Sequence, residues 1–368
     1  MIRERFKEII RHCAQCGVCT AACPSKDVSD FNIRRLVRHL QLDLFNDDAF
    51  LGKYPWLCTH CYRCQELCTE ELEIPKLVLA LRQLALKSGA APEEVYRVLK
   101  SIKSSGSPYL SLTRTKTSWM KPPLQPSVDA SLLYWVGCTS SIMAPNIAEA
   151  TAEVLKKLGL GFKLLNGELC CGEPLISLGL LDEARHIAVR VVEAIEGANV
   201  KRLITSCSGC YNAFTKLYPE TLGIEFSNVE ILHISQLLNQ NVNAGFKLEK
   251  PIAVTYHDPC SLGRRSKVYD APRNVLKSIE GVKLVEMNPT REYSGCCGGG
   301  GGLWSLNHEM AMEMAYRRLL RDVVPLRVEG LVTCCPICYM NFKLASAKKK
   351  VPVKVYDLAE IAAMSMSR

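Results

Sequence analysis

The stretches CAQCGVCTAACP (residues 13–24) and CTHCYRCQELC (residues 58–68) decide the architecture of the N-terminal part. Each sets three cysteines two residues apart and a fourth after three more: Cys13, Cys16, Cys19 and Cys23, then Cys58, Cys61, Cys64 and Cys68. Loops this tight turn three thiolates toward one corner-sharing cube of iron and sulfide while their amides point at its sulfurs. Pro24 closes the first run and supplies no N–H of its own. Thr69 stands where the second run would carry the matching proline. A structural zinc site takes four ligands in two pairs, and a doubled three-plus-one run fits that poorly. His60, inside the second run, is expected to be an exposed residue or a neighbour of the ligands, not one of them.

The doubled run resembles the bacterial two-cluster ferredoxins, in which the fourth cysteine of each run ligates the other cluster. That likeness assigns Cys13, Cys16, Cys19 and Cys68 to one cubane 4Fe-4S cluster, and Cys58, Cys61, Cys64 and Cys23 to a second. A small, mainly helical domain over residues 1–100 follows. Helical apolar spacing over Ile33–Leu42 and Ile74–Lys87 supplies its scaffold.

Nineteen cysteines dominate the 368-residue composition. Disulfide scaffolds belong to short secreted chains. Here the start, MIRERFKEII, is charged and amphipathic with no apolar core of a leader peptide, so a reduced cytoplasmic compartment is expected. The most apolar run, Leu77 to Leu86, is interrupted by Arg82 and Gln83 and is too short for the roughly 18 residues of a membrane span. Membrane contact is therefore expected only indirectly, through a partner. The formal net charge of +9 counts every cysteine as neutral, and metal-bound thiolates would lower it. No nucleic-acid partner is inferred, and Arg317-Arg318 and Lys348 to Lys350 read as solvated helix faces.

Beyond a Ser-, Thr-, Lys- and Pro-rich stretch read as a linker (101–130), two similar halves follow, 131–248 and 249–368. The first is read as strand Leu132–Val136, Cys138, helix Asn146–Leu158, strand Phe162–Leu165, Cys170-Cys171-Gly172, helix Asp182–Glu196, strand Arg202–Thr205, then Cys207 and Cys210. The second repeats it: strand Ile252–Tyr256, Cys260, helix Arg273–Ile279, strand Lys283–Met287, Cys296-Cys297-Gly298, helix Asn307–Leu320, strand Gly330–Thr333, then Cys335 and Cys338. Cysteines after strands and before helices sit where α/β folds gather ligands. The expected fold is thus mixed α+β and α/β: a helical two-cluster domain, then two pseudo-repeated α/β modules with short parallel sheets.

Each half offers five thiols, one more than a cubane needs. Together with Val136-Gly137-Cys138-Thr139, Cys170-Cys171-Gly172-Glu173-Pro174, His257-Asp258-Pro259-Cys260 and Cys335-Pro336-Ile337-Cys338, this pattern resembles the cysteine-rich CCG domain of heterodisulfide reductases and of the iron–sulfur subunits of glycolate, lactate and glycerol-3-phosphate oxidising complexes. The likeness covers nearly the whole chain. It implies a noncubane 4Fe-4S cluster held by Cys138, Cys170, Cys171, Cys207 and Cys210, and another by Cys260, Cys296, Cys297, Cys335 and Cys338. Two facing clusters would clamp a small disulfide, each giving one electron and capturing one sulfur. The order of domains resembles the single-chain form whose partner is a membrane b-type cytochrome. The competing reading is a subunit without a substrate, passing electrons from a flavoprotein dehydrogenase toward quinone.

Other residues carry weaker signals. Gly298, Gly299 and Gly300 open a five-glycine run expected to let backbone approach a cluster and a helix N-terminus. His257 is a candidate proton donor to a departing thiolate. Arg264 and Arg265 read either as binders of an anionic substrate group or as solvated surface. Met310, Met312 and Met314 read as helix packing, and Cys334 as a buried cysteine at a strand end.

Overall fold

The computed structural model describes residues 6–7, 11–44, 47–109, 116–122, 124–127 and 129–366. Most of the N-terminal decapeptide and residues 110–115 of the expected linker lie outside these. In the N-terminal domain, helix α1 (Ile33–Gln41) starts where the Asn32 side chain accepts the Arg35 amide. It buries Ile33, Leu36, Val37 and Leu40, one face of a 3.6-residue period. Helix α2 (Ile74–Ser88) ends at Gly89, held in the left-handed region at φ 79°. Helix α3 (Glu93–Ser105) runs on into the Ser-rich stretch.

That stretch is more than a tether. Trp119 is buried against Tyr134, ring centroids 6.1 Å apart, and Tyr109 bonds Thr139 at 2.8 Å. Lys116 donates to the carbonyls of Gly106 and Glu168. Residues 101–105 of this Ser-rich stretch continue helix α3, and a large aromatic straps it to the first module.

The first module holds a three-stranded parallel sheet in the order β1 (Leu132–Trp135), β2 (Arg202–Thr205), β3 (Glu230–His233). The second holds four parallel strands in the order β5 (Glu280–Leu284), β4 (Lys247–His257), β6 (Gly330–Thr333), β7 (Lys354–Asp357). Crossover helices α4 (Pro145–Lys157), α5 (Leu181–Gly197), α6 (Asp270–Ser278), α7 (His308–Arg318) and α8 (Pro336–Lys348) cover the faces. Strands β1 and β6 are buried along their whole length, which is why they read as unbroken apolar runs.

Four strand expectations need correction. Phe162–Leu165 is no strand. It makes one bridge, Lys163 to Leu133, and the ladder stops there because the Val136 amide, which the next pairing with Leu165 would need, goes to the Glu168 carboxylate. The strand expected at Lys283–Met287 lies earlier, at Glu280–Leu284. Strands β3 and β7 were not anticipated. Both are four-residue edge segments carrying a charged residue, with no cysteine after them.

Packing joins the parts. One core runs from Phe6, Leu81 and Val98 of the N-terminal domain to Leu175, Leu203 and Phe214 of the first module. The opposite face of β1, Leu132 and Tyr134, shares a second core with Val254, Tyr256 and Val332 of the other sheet. Among the described residues, no helix is long and apolar enough to cross a membrane.

Candidate metal centre

The cysteine loops at the carboxyl ends of β1, β2, β4 and β6 converge. One cavity of about 110 Å³ is lined by Cys138, Cys171, Cys207 and Cys210 from the first module and by Cys260, Cys297, Cys335 and Cys338 from the second. Cys170 and Cys296 stand behind this wall. Within each module the five thiols lie against one another in the same order. In the first it runs Cys138, Cys170, Cys171, Cys210, Cys207. In the second it runs Cys260, Cys296, Cys297, Cys338, Cys335. Five converging soft thiols are a donor set that suits iron and sulfide.

Electrostatics repeat this symmetry. The Cys170 and Cys210 thiols donate to Cys171 and bring its pKa down to about 7. Cys296, Cys338 and His257 lower Cys297 in the same way. In the first module the Glu168 carboxylate shapes the loop, accepting the amides of Val136 at 2.9 Å and Gly137 at 2.8 Å. Burial raises its pKa, against the pull of Lys116 and those amides.

One difference between the modules is that Cys296 also touches the N-terminal domain. Its thiol bonds Cys61, whose pKa falls to about 5 despite burial. It also faces the Thr59 hydroxyl at 3.7 Å. In the N-terminal domain Cys23 senses Cys58 and Cys61, and Cys64 senses Cys58, Cys61, Cys23 and Cys19. Cys19 senses Cys13 and Cys16. Burial pushes Cys58 up to about 11.

His257 is not among the residues that line the cavity. It lies behind Cys297, with a ring nitrogen within 4.8 Å of the Cys297 and Cys338 thiols. Nδ1 accepts from Arg318 at 3.4 Å and the ring packs edge-on to Phe342. Burial lowers its pKa, so it is neutral near pH 7. Trp135, at the end of β1 and against Phe214, takes the corresponding place in the first module.

The glycine run is a three-way joint. The amides of Gly298 and Gly299 donate to the Cys296 and Cys297 sulfurs at 3.3 and 3.4 Å. A Cβ on Gly298 would meet the Ala311 carbonyl at 2.6 Å, and one on Gly300 would meet the Thr59 carbonyl at 3.0 Å. Gly299 and Gly300 line the cavity. The run leads into the short helix Leu303–Leu306.

Neither arginine after Cys260 is solvated surface. Arg264 is buried and bonds the carbonyls of Cys61 and Glu292. Arg265 packs over Tyr62 and lies 3.7 Å from Glu173. The β4 loop packs directly onto the second cysteine run, and this consumes both cations. His60 is buried rather than exposed, its amide pointing at the Cys58 sulfur. Cys334 is buried in the core between the sheets, and Met310 and Met314 pack under α7. The cavity wall also includes Thr139, next to Cys138, and Tyr109 and Trp304, which lie outside the cysteine motifs.

Comparison with known proteins agrees with this layout. The 4Fe-4S dicluster domain matches residues 9–72, and the Cysteine-rich domain (CCG) matches residues 132–215 and 254–343. A subunit of the dihydromethanophenazine:CoB–CoM heterodisulfide reductase of Methanosarcina mazei is 35% identical over 89% of this chain and 80% of its own. A subunit of the fumarate reductase (CoM/CoB) of Methanothermobacter marburgensis is 30% identical over 97% of this chain and 73% of its own. A hypothetical protein from Helicobacter pylori shares the fold, with a TM-score of 0.64 at 11% identity over 100% of this chain and 76% of its own. A ferredoxin-type domain, two cysteine-rich domains and identity sustained across all three place the chain in the heterodisulfide reductase family of iron–sulfur oxidoreductases.

Proposed function

We propose that the chain reduces a small disulfide to two thiols in the cavity between its modules, consuming two electrons and two protons for each bond split. The observation that carries this is the pair of five-thiol sets opening onto one cavity from opposite sides. Electron passage alone needs no space between the two sets. Cys13, Cys16, Cys19 and Cys68 would hold one cubane, and Cys58, Cys61, Cys64 and Cys23 the other. Each five-cysteine set would hold a noncubane 4Fe-4S cluster. Bound there, the clusters supply single electrons beside iron with an affinity for sulfur.

The chain's own residues prepare the space. Pro108, Pro174, Pro259, Trp304 and Ile337 make an apolar collar that excludes water. Cys61 against Cys296 joins the N-terminal domain to the second module, so electrons enter on that side. The source is another protein, a b-type cytochrome or a flavoprotein, and any membrane contact of this cytoplasmic chain comes through it. The likeness to a heterodisulfide reductase supports the same reading.

Cys171→Ser and Cys297→Ser test it. Each puts a harder oxygen where a soft thiolate stood. With an artificial electron donor, disulfide reduction should collapse in both variants while the N-terminal clusters stay reducible. A fully loaded wild-type protein whose EPR spectrum ignores a broad panel of thiols and disulfides would instead be an electron-transfer protein without a substrate.

A further inference from the structure

Two buried arginines hydrogen-bond only to backbone carbonyls. Arg82 in α2 has no exposed surface. Its Nε donates to Pro55 at 3.0 Å, Nη1 to Ser177 at 2.5 Å and Gly301 at 2.8 Å, and Nη2 to Cys58 at 2.7 Å. Arg264 is 3% exposed. Its Nε donates to Glu292 at 2.7 Å, Nη1 to Cys61 at 2.9 Å, and Nη2 to Ser294. Among the described residues neither forms an ion pair with a carboxylate. The other buried arginines do: Arg273 with Asp258 at 2.7 Å and Arg318 with Asp322 at 2.6 Å.

A buried cation without a counter-charge is strongly disfavoured. Both unpaired guanidinium groups reach the carbonyls of ligand cysteines in one quartet, Cys58 and Cys61. Among the described residues the other quartet has no buried cation of this kind, and Arg34, whose guanidinium reaches Gly17 in its loop, is exposed. Cys16 is exposed, and Cys13 meets neutral amides, with Gln15 Nε2 3.4 Å from its sulfur and Gln41 Nε2 3.4 Å from its carbonyl.

We propose that Arg82 and Arg264 are the counter-charges of the cluster held by Cys58, Cys61, Cys64 and Cys23, and that they raise its reduction potential. The inference rests on the cluster assignment given above. Accepting an electron adds one negative charge, which burial opposes and fixed nearby cations favour. With both arginines in place, an electron entering the N-terminal domain settles on this inner cluster, beside Cys296, and not on the exposed one.

The test is an EPR-monitored redox titration of anaerobic holoprotein carrying Arg82→Gln, Arg82→Lys, Arg264→Gln or Arg264→Lys. Each glutamine variant should cut the reduced-to-oxidised ratio of one cubane about tenfold at fixed potential, a shift of about 59 mV for a one-electron couple. The second cubane should not move, and the lysine variants should stay near wild type. Loss of the inner cluster from the glutamine variants, with retention in the lysine variants, would support the same requirement for charge. Unchanged potentials in the glutamine variants, or loss of the cluster from lysine and glutamine variants alike, would overturn it. A wild-type N-terminal domain without iron and sulfide would instead overturn the cluster assignment itself.

Discussion

Replacing Gly301 with alanine should loosen the joint between the N-terminal domain and the second module. Gly301 sits at φ 62°. Its Cβ would lie 2.6 Å from the carbonyl carbon of Thr59 and 2.8 Å from the carbonyl oxygens of Cys58 and Thr59. An L-residue in the left-handed region costs about 1–2 kcal/mol. Overpacking typically adds about 1–3 kcal/mol. The obstructing atoms are backbone and cannot rotate away, so G301A should destabilise by about 2–5 kcal/mol. Gly89 is the control: φ is 79° and nothing lies within 4 Å of its Cβ, so G89A carries only the conformational part. The assay is anaerobic thermal unfolding followed by far-UV circular dichroism and visible absorbance. With several domains in the chain, apparent midpoints should be compared instead of fitted free energies. G301A should lower the midpoint by at least twice as much as G89A and bleach the visible absorbance early. Equal shifts in the two variants would refute the argument.

Cys23→Ser should damage the cluster shared with Cys58, Cys61 and Cys64 and spare its sequence neighbours; selective loss of the Cys13–Cys19 centre in iron analysis and EPR would rule out crossed ligation. Asp258→Asn removes one partner of the buried pair with Arg273, an expected cost of about 3–5 kcal/mol, which should appear as a clearly lower apparent midpoint in denaturant at neutral pH. Burial pushes the Asp258 pKa up, but the Arg273 hydrogen bonds and charge and the Arg291 amide bring it below the usual carboxylate value. The pair's contribution is therefore complete above about pH 3.9 and lost as the pH falls through the lower folded-state value. D258N should accordingly unfold in acid with a shallower slope than wild type, and identical acid limbs would remove Asp258 from the account.

The two kinds of cysteine-rich domain were legible because their motifs are local. Three thiolates on one tight loop leave little choice of partner, and the two five-cysteine halves repeat in register along the chain. The strands that carry cysteines were found for the same reason, since each ends at a marker. What escaped depends on distant packing. Phe162–Leu165 has strand composition, yet the distant Glu168 carboxylate takes the Val136 amide that would have extended its ladder. Trp119 and Tyr109 looked like parts of a polar linker until the first module supplied their contacts. His257 stood next to a ligand loop in sequence, but the direction of its side chain puts it behind Cys297. Arg82 was visible as the charge breaking an apolar run in a helix. Nothing local could say that its partners would be carbonyls from three parts of the molecule.

Those carbonyls also order events in time. Arg82 reaches Cys58 and Pro55 as soon as the N-terminal domain closes, but Ser177 lies 95 residues downstream and Gly301 lies 219 downstream. At about 5–20 residues per second of synthesis, the Gly301 carbonyl reaches the ribosome exit about 10–40 s after Arg82. During that interval water must occupy the places of the missing carbonyls, and the helix carrying Arg82 cannot settle into its final packing. The domain made first is therefore the last to be completed. Cys58 and Cys61, whose surroundings the second module completes, lack that cover until it arrives, whereas Cys16 is exposed even in the finished fold.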